Sequence, residues 1–136
     1  MAASLYIVVE GEDPGFDIFV NGHALARNED ALERLAERLA VSPLLEYFSA
    51  DENSMALLLE QGGGSPDWVL HLPAPQWFDP VAGLVTVCAL TDFLDHTPAA
   101  LGSETAPVLA ELREYERVLR KTAQRQLRWH IAVSWR

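Results

Sequence analysis

Hydrophobic positions change their spacing along this chain, and the changes outline its elements. Leu5-Tyr6-Ile7-Val8-Val9 is a continuous β-branched and aromatic run, cut off by Glu10-Gly11-Glu12-Asp13-Pro14-Gly15. It predicts a strand buried on both faces, followed by a turn. Phe16 to Val20 alternates weakly before the turn dipeptide Asn21-Gly22, which allows a second strand there. From Asp30 the spacing becomes helical. Leu32, Leu35, Ala36 and Leu39 form one stripe up to about Ala40, with Asp30 as cap and Glu33 three residues on. Ser42-Pro43 opens a short helical turn carrying Leu44, Leu45 and Phe48. Ser49 and Glu52 repeat the capping-box spacing ahead of a helix over Met55, Leu58 and Leu59, which Gly62-Gly63-Gly64 ends.

Residues 62–76 read as loop, with room for a short strand at Trp68-Val69-Leu70-His71-Leu72. Asp79-Pro80 then supplies a cap and a first-turn proline for a helix that reaches His96 and stops before Pro98. Val81, Leu84, Val85, Val87, Cys88, Leu90, Phe93 and Leu94 surround nearly its whole circumference, the mark of a central helix. Ser103 is placed to cap a last helix running to about Gln124. Its buried stripe is Leu112, Tyr115, Leu119 and Ala123, and Glu111, Glu114, Arg117 and Lys121 are expected to face water. Leu127, Trp129, Ile131, Val133 and Trp135 alternate strictly with smaller or polar residues and give the clearest strand signal of all. Two strong strands at opposite ends of the chain satisfy each other's edges most simply by pairing. The expected class is therefore α+β: one domain over 1–136, with a small sheet of the N- and C-terminal strands covered by about four helices.

A length of 136 residues suits one core, and 49% hydrophobic with 22% charged residues is globular rather than disordered. Cys88, the only cysteine, cannot form an internal disulfide, which fits a reducing compartment and a cytoplasmic location. Met1-Ala2-Ala3-Ser4 has no basic leader character. The longest uncharged apolar run, Val81 to Leu90, is about half of the ~20 residues that a membrane span needs, so no membrane association is expected.

The net charge of −10 is unevenly placed. Residues 1–110 hold 17 acidic side chains against Arg27, Arg34 and Arg38, whereas residues 111–136 hold seven basic against three acidic. Residues 61–110 contain Asp67, Asp79, Asp92, Asp95 and Glu104 and no lysine or arginine. Such a surface repels phosphate, which argues against nucleic acid, and draws a basic protein toward it. The basic cluster of Arg113, Arg117, Arg120, Lys121, Arg125 and Arg128 reads first as helix-end and i,i+4 pairing.

Candidate chemistry is sparse. Cys88, Asp92 and His96 fall on one helix face with Asp95 beside them, but Cys88 and His96 are about 12 Å apart along the axis, too far for a dyad. Two ligands do not make a stable metal site, and no metal or cofactor is expected. His130 lies opposite the apolar face of the last strand, where a solvated position is the ordinary one. A functional role for it needs a carboxylate, which Glu10 can supply if the strands pair. No calcium loop, phosphate-binding loop or nucleophile elbow occurs.

The stretches Trp77-Phe78-Asp79-Pro80-Val81-Ala82-Gly83-Leu84, Leu112-Arg113-Glu114-Tyr115-Glu116 and Arg128-Trp129-His130-Ile131-Ala132-Val133 resemble small bacterial proteins of uncharacterised families. The resemblance covers the C-terminal half and implies no activity, so no functional residue is carried over from it. Two classes remain. The first is a non-catalytic acidic domain that inhibits or neutralises a basic protein partner. The alternative is a small enzyme or ligand-binding protein with a pocket lined by Trp68, Trp77 and Trp129, with polar groups such as His130 or Asp92. The candidate pocket or interface thus comprises Trp68, Trp77, Asp92, Asp95, His96, Trp129 and His130. The oligomeric state is left open.

Overall fold

The computed structural model describes residues 3–11, 13–49 and 75–134. The expected helix over Met55, Leu58 and Leu59, the glycine run after it, and the strand at Trp68–Leu72 lie outside the described residues. Strand β1 (Ser4–Val9) pairs antiparallel with strand β2 (Trp129–Ser134), Ser4 opposite Ser134 and Val9 opposite Trp129. Between them come helices α1 (His23–Arg27), α2 (Glu29–Leu39), α3 (Pro80–His96) and α4 (Thr105–Gln124). Two 3-10 turns, Leu44–Tyr47 and Gly102–Glu104, complete the described elements. The protein is α+β, with its terminal strands paired.

Leu5, Ile7 and Val9 of β1 and Trp129 and Ile131 of β2 enter one core with α3 and α4 residues such as Val87, Leu90, Leu94, Leu112, Tyr115 and Leu119. Side chains of this size stabilise by about 1.5–3 kcal/mol each when fully buried. Beneath Trp129 the helix comes very close, since a Cβ at Gly83 would run into the indole ring. Tyr47 stacks on the other side of that ring at 5.1 Å, and the indole N–H donates to the Asp79 carbonyl at 3.2 Å. Asp79 caps α3 as the sequence indicates, its carboxylate accepting from the Val81 N–H at 2.9 Å.

β2 is flanked on both edges. Phe78 and Trp129 exchange two backbone hydrogen bonds, at 2.8 and 3.1 Å, and the Ser49 N–H donates to the Ile131 carbonyl at 3.0 Å. The strict alternation expected along β2 therefore does not become buried-in, solvated-out. His130 and Ala132, on the second face, are as buried as Trp129 and Ile131.

Four further expectations are corrected. Helix α2 begins at Glu29, with Asn28 rather than Asp30 at the cap position, because α1 precedes it after a one-residue break. Helix α4 begins at Thr105, behind the 3-10 turn that contains Ser103, and no side chain caps it. α3 is not covered all round, since Val81 and Val85 are more than half exposed on its outer face. Residues 16–20 show the buried–exposed alternation of a strand but join no ladder, and Asp17 and Phe19 give their carbonyls to Arg117 instead.

The largest departure is Glu111, expected in water and found buried. Its carboxylate oxygens accept from the Ala24 N–H at 3.1 Å and the Leu25 N–H at 2.9 Å. These are orphan donors of the first turn of α1. The position before that helix is Gly22, which has no side chain to cap with and room for none, because a Cβ there would collide with the Leu5 carbonyl. The missing cap comes from α4, 86 residues away in sequence.

Candidate functional site

The exposed acids of α3 have partners. The Asp95 carboxylate meets Arg113 of α4 at 3.2 Å. Asp92 lies 3.5 Å from the His96 ring, whose Nδ1 also contacts the Asp92 carbonyl at 2.8 Å. That backbone hydrogen bond, with the neighbouring Asp92 carboxylate, raises the His96 pKa. Cys88, at the base of the same stripe, turns away from both. Its thiol donates to Glu116 of α4 at 3.2 Å, and burial, then Glu116, push its pKa up. Cys88, Asp92 and His96 therefore do not converge on one centre.

At the opposite end of α3 the structure brings Trp77 and His130 together. Their rings stack with centroids 4.3 Å apart. The His130 Nδ1 bonds to the Gln76 carbonyl at 2.9 Å, which fixes the proton on Nδ1 in the neutral ring, while the buried Nε2 has no hydrogen-bond partner among the described residues. Glu10 is not the carboxylate that His130 requires for catalysis, since it forms a two-pronged pair with Arg128, 3.1 and 2.5 Å, and that pairing lowers its pKa. Trp129 is a fully buried core residue, and Trp68 lies outside the described residues.

The basic side chains of α4 are spent within the molecule. Arg117 pairs with Glu114 at 2.9 Å and Arg120 with Glu116 at 2.9 Å. Arg125 donates to the Gly15 carbonyl at 3.4 Å and lies, with Lys121, over the Phe16 ring. Arg27 is held by Glu104 at 2.9 Å.

One acidic group has no such partner. On α2, Glu29, Asp30 and Glu33 can bring carboxylate oxygens within 4.8 Å of one another, and none of the three makes an ion pair among the described residues. Glu29 is half-buried, and burial, then Asp30 and Glu33, raise its pKa. Helical spacing sorts the charges into rows. Glu29, Glu33 and Glu37 recur every four residues, whereas Asp30, Arg34 and Arg38 form the adjoining row. The acidic flank borders a cleft between α2 and the Leu44–Tyr47 turn. Leu5, Leu25, Leu32, Pro43, Leu44 and Leu45 line it, with Glu29 and Glu33 on its rim, and it offers about 20 Å³ of free room. That is space for one water or the tip of an aliphatic side chain, far below the roughly 300 Å³ at which pockets for drug-sized ligands begin.

The sequence marked none of these residues as a site. The usable signal was the i,i+4 repeat of acids at 29, 33 and 37, beside an apolar Pro43-Leu44-Leu45 turn. No protein-family model, no curated protein and no solved structure matches the chain.

Proposed function

We propose that this protein is a non-catalytic interaction domain whose acidic α2 side binds a basic segment of another protein, inhibiting or neutralising it. The observation that carries the reading is the unpaired Glu29/Asp30/Glu33 group. The three carboxylates lie together and make no ion pair among the described residues, and burial, then Asp30 and Glu33, raise the Glu29 pKa, while Arg113, Arg117 and Arg120 of α4 are held by their own neighbours. A cation brought by a partner would relieve this repulsion. Asp92 and Asp95 are less suited, because His96 and Arg113 already face them. The single cysteine and the absence, among the described residues, of a helix long and apolar enough to cross a membrane are compatible with a cytoplasmic setting.

Stopped-flow association of a fluorescein-labelled decalysine peptide tests this. The rate is expected to fall steeply between low and physiological salt, as for a steered encounter. It should also fall in the Glu29→Gln/Asp30→Asn/Glu33→Gln variant but hold in Asp92→Asn/Asp95→Asn. Equal rates for the two variants would refute the assignment to α2.

A small enzyme or ligand-binding protein remains the second reading, on the strength of the unpartnered His130 Nε2 beside Trp77. It ranks lower because, among the described residues, His130 makes no contact with a carboxylate or thiol that would activate it.

A further inference from the structure

We infer that the cleft between α2 and the Leu44–Tyr47 turn is the anchoring point of that interaction, taking one aliphatic side chain from an extended basic segment with a lysine or arginine on either side of it. The inference rests on the reading of an acidic interaction domain and adds which feature of the partner is recognised.

Charge alone is a poor discriminator. Screened rim charges act mainly on the rate of encounter, and each exposed pair contributes little once formed. Lasting recognition needs an apolar group placed in a desolvated recess, ringed by polar contacts. The α2 cleft has both parts in one place. Leu5, Leu25, Leu32 and Leu44 form a floor that the fold has already paid to order, while Pro43 and Leu45 are half-buried walls. The turn carrying these walls is tied down, since Thr86 of α3 donates to the Ser42 carbonyl at 2.7 Å and Val41 returns its N–H to Ala36 at 3.0 Å. The recess is thus preformed, and filling it costs little reorganisation.

Its rim determines the occupant. The polar side chains lining the cleft are both carboxylates, Glu29 and Glu33, with Asp30 adjoining. Arg34 and Arg38 lie in the adjoining row of the helix, and neither pairs with Glu29 or Glu33 among the described residues. An aliphatic tip entering the cleft brings its flanking residues onto these acids. Acidic neighbours there are repelled, and lysine or arginine neighbours complete the three-carboxylate group. The free room, about 20 Å³, suits the tip of an aliphatic side chain better than an aromatic ring.

Fluorescence anisotropy with four labelled heptapeptides tests the inference: a central leucine between paired lysines, the same peptide with central glycine, the same with central phenylalanine, and central leucine between paired glutamines. The leucine–lysine peptide is expected to bind at least about tenfold more tightly than each of the others. Glu29→Gln/Glu33→Gln should abolish the lysine preference, and Leu45→Gln, at a half-buried wall, should abolish the leucine preference alone while an unchanged thermal transition shows that the fold is kept. Equal binding of the leucine and glycine peptides, with the lysine preference intact, overturns the anchoring inference and leaves the acidic-domain reading standing. Equal binding of the lysine and glutamine peptides overturns both.

Discussion

Replacing Glu111 by alanine probes the least obvious bond in the fold. The side chain leaves Ala24 and Leu25 with buried N–H groups that water cannot easily reach. Each hydrogen bond to a charged acceptor is worth about 1.5–3 kcal/mol, and loss of a helix cap alone costs about 1 kcal/mol. The two bonds share one carboxylate, and the cavity admits some relaxation, so the expected loss is about 2–4 kcal/mol rather than the full sum. Against a total stability of about 5–15 kcal/mol this is a large fraction. Glu111→Gln keeps one acceptor but turns an amide N–H₂ toward a backbone donor, and should cost about half as much. Urea unfolding followed by tryptophan fluorescence measures both. If Glu111→Ala lies within about 0.5 kcal/mol of wild type, as surface substitutions do, the carboxylate is not the cap of α1.

Other expected outcomes follow from the same contacts. Deleting residues 127–136 strips partners from β1, Phe78 and Ser49 together, and the product should show no cooperative thermal transition; a retained transition would contradict the interior position of β2. Cys88 should react with a thiol reagent more slowly in the folded than in the unfolded protein, and Glu116→Gln should speed the folded reaction, because burial and then Glu116 raise the thiol pKa; equal folded and unfolded rates would contradict the assignment. The carboxyls of Glu10, Glu104 and Glu116 are held below the usual range by hydrogen bonds from Arg128, Arg27 and Arg120. Their folded pKa values lie below the unfolded ones, so their stabilisation is present above about pH 4.5 and lost as pH falls through the folded values. Thermal melts between pH 7 and pH 3 should show this loss, and the Glu10→Gln variant should lose less over that window than wild type.

Alternation and caps made much of this fold legible in the sequence. The runs at 5–9 and 129–133 fixed both strands, and Asp79-Pro80 placed the start of α3 to the residue. Pairing of the ends followed because the sequence holds no other strand signal as strong as these two. Contacts made by a side chain far from its own element were not legible. Glu111 has the spacing of a solvent-facing helix residue, and nothing local reveals that Gly22 leaves a helix uncapped. His130 sits at a polar-face position, yet Trp77 and the Phe78 bridge cover it, so the face that looked solvated is interior. The candidate site was less legible for a related reason. The sequence gives the number of acids but not which ones arginines reach, so Asp92 and Asp95 stood out although His96 and Arg113 face them. The acids of α2, which make no ion pair among the described residues, did not stand out because Arg34 and Arg38 are interleaved with them in sequence.

The central claim, that the acidic side of α2 and its cleft form the binding surface, is tested most directly by mapping contacts in solution. The measurement is a titration of ¹⁵N,¹³C-labelled protein with the leucine–lysine heptapeptide, read by amide and methyl chemical shifts. The account expects saturable shifts concentrated on the amides of 29–33 and 43–45 and on the methyl groups of Leu32, Leu44 and Leu45, with the Glu29 carboxyl signal moving as its raised pKa falls. Shifts centred instead on Trp77 and His130, or on Asp92 and Asp95, would contradict it.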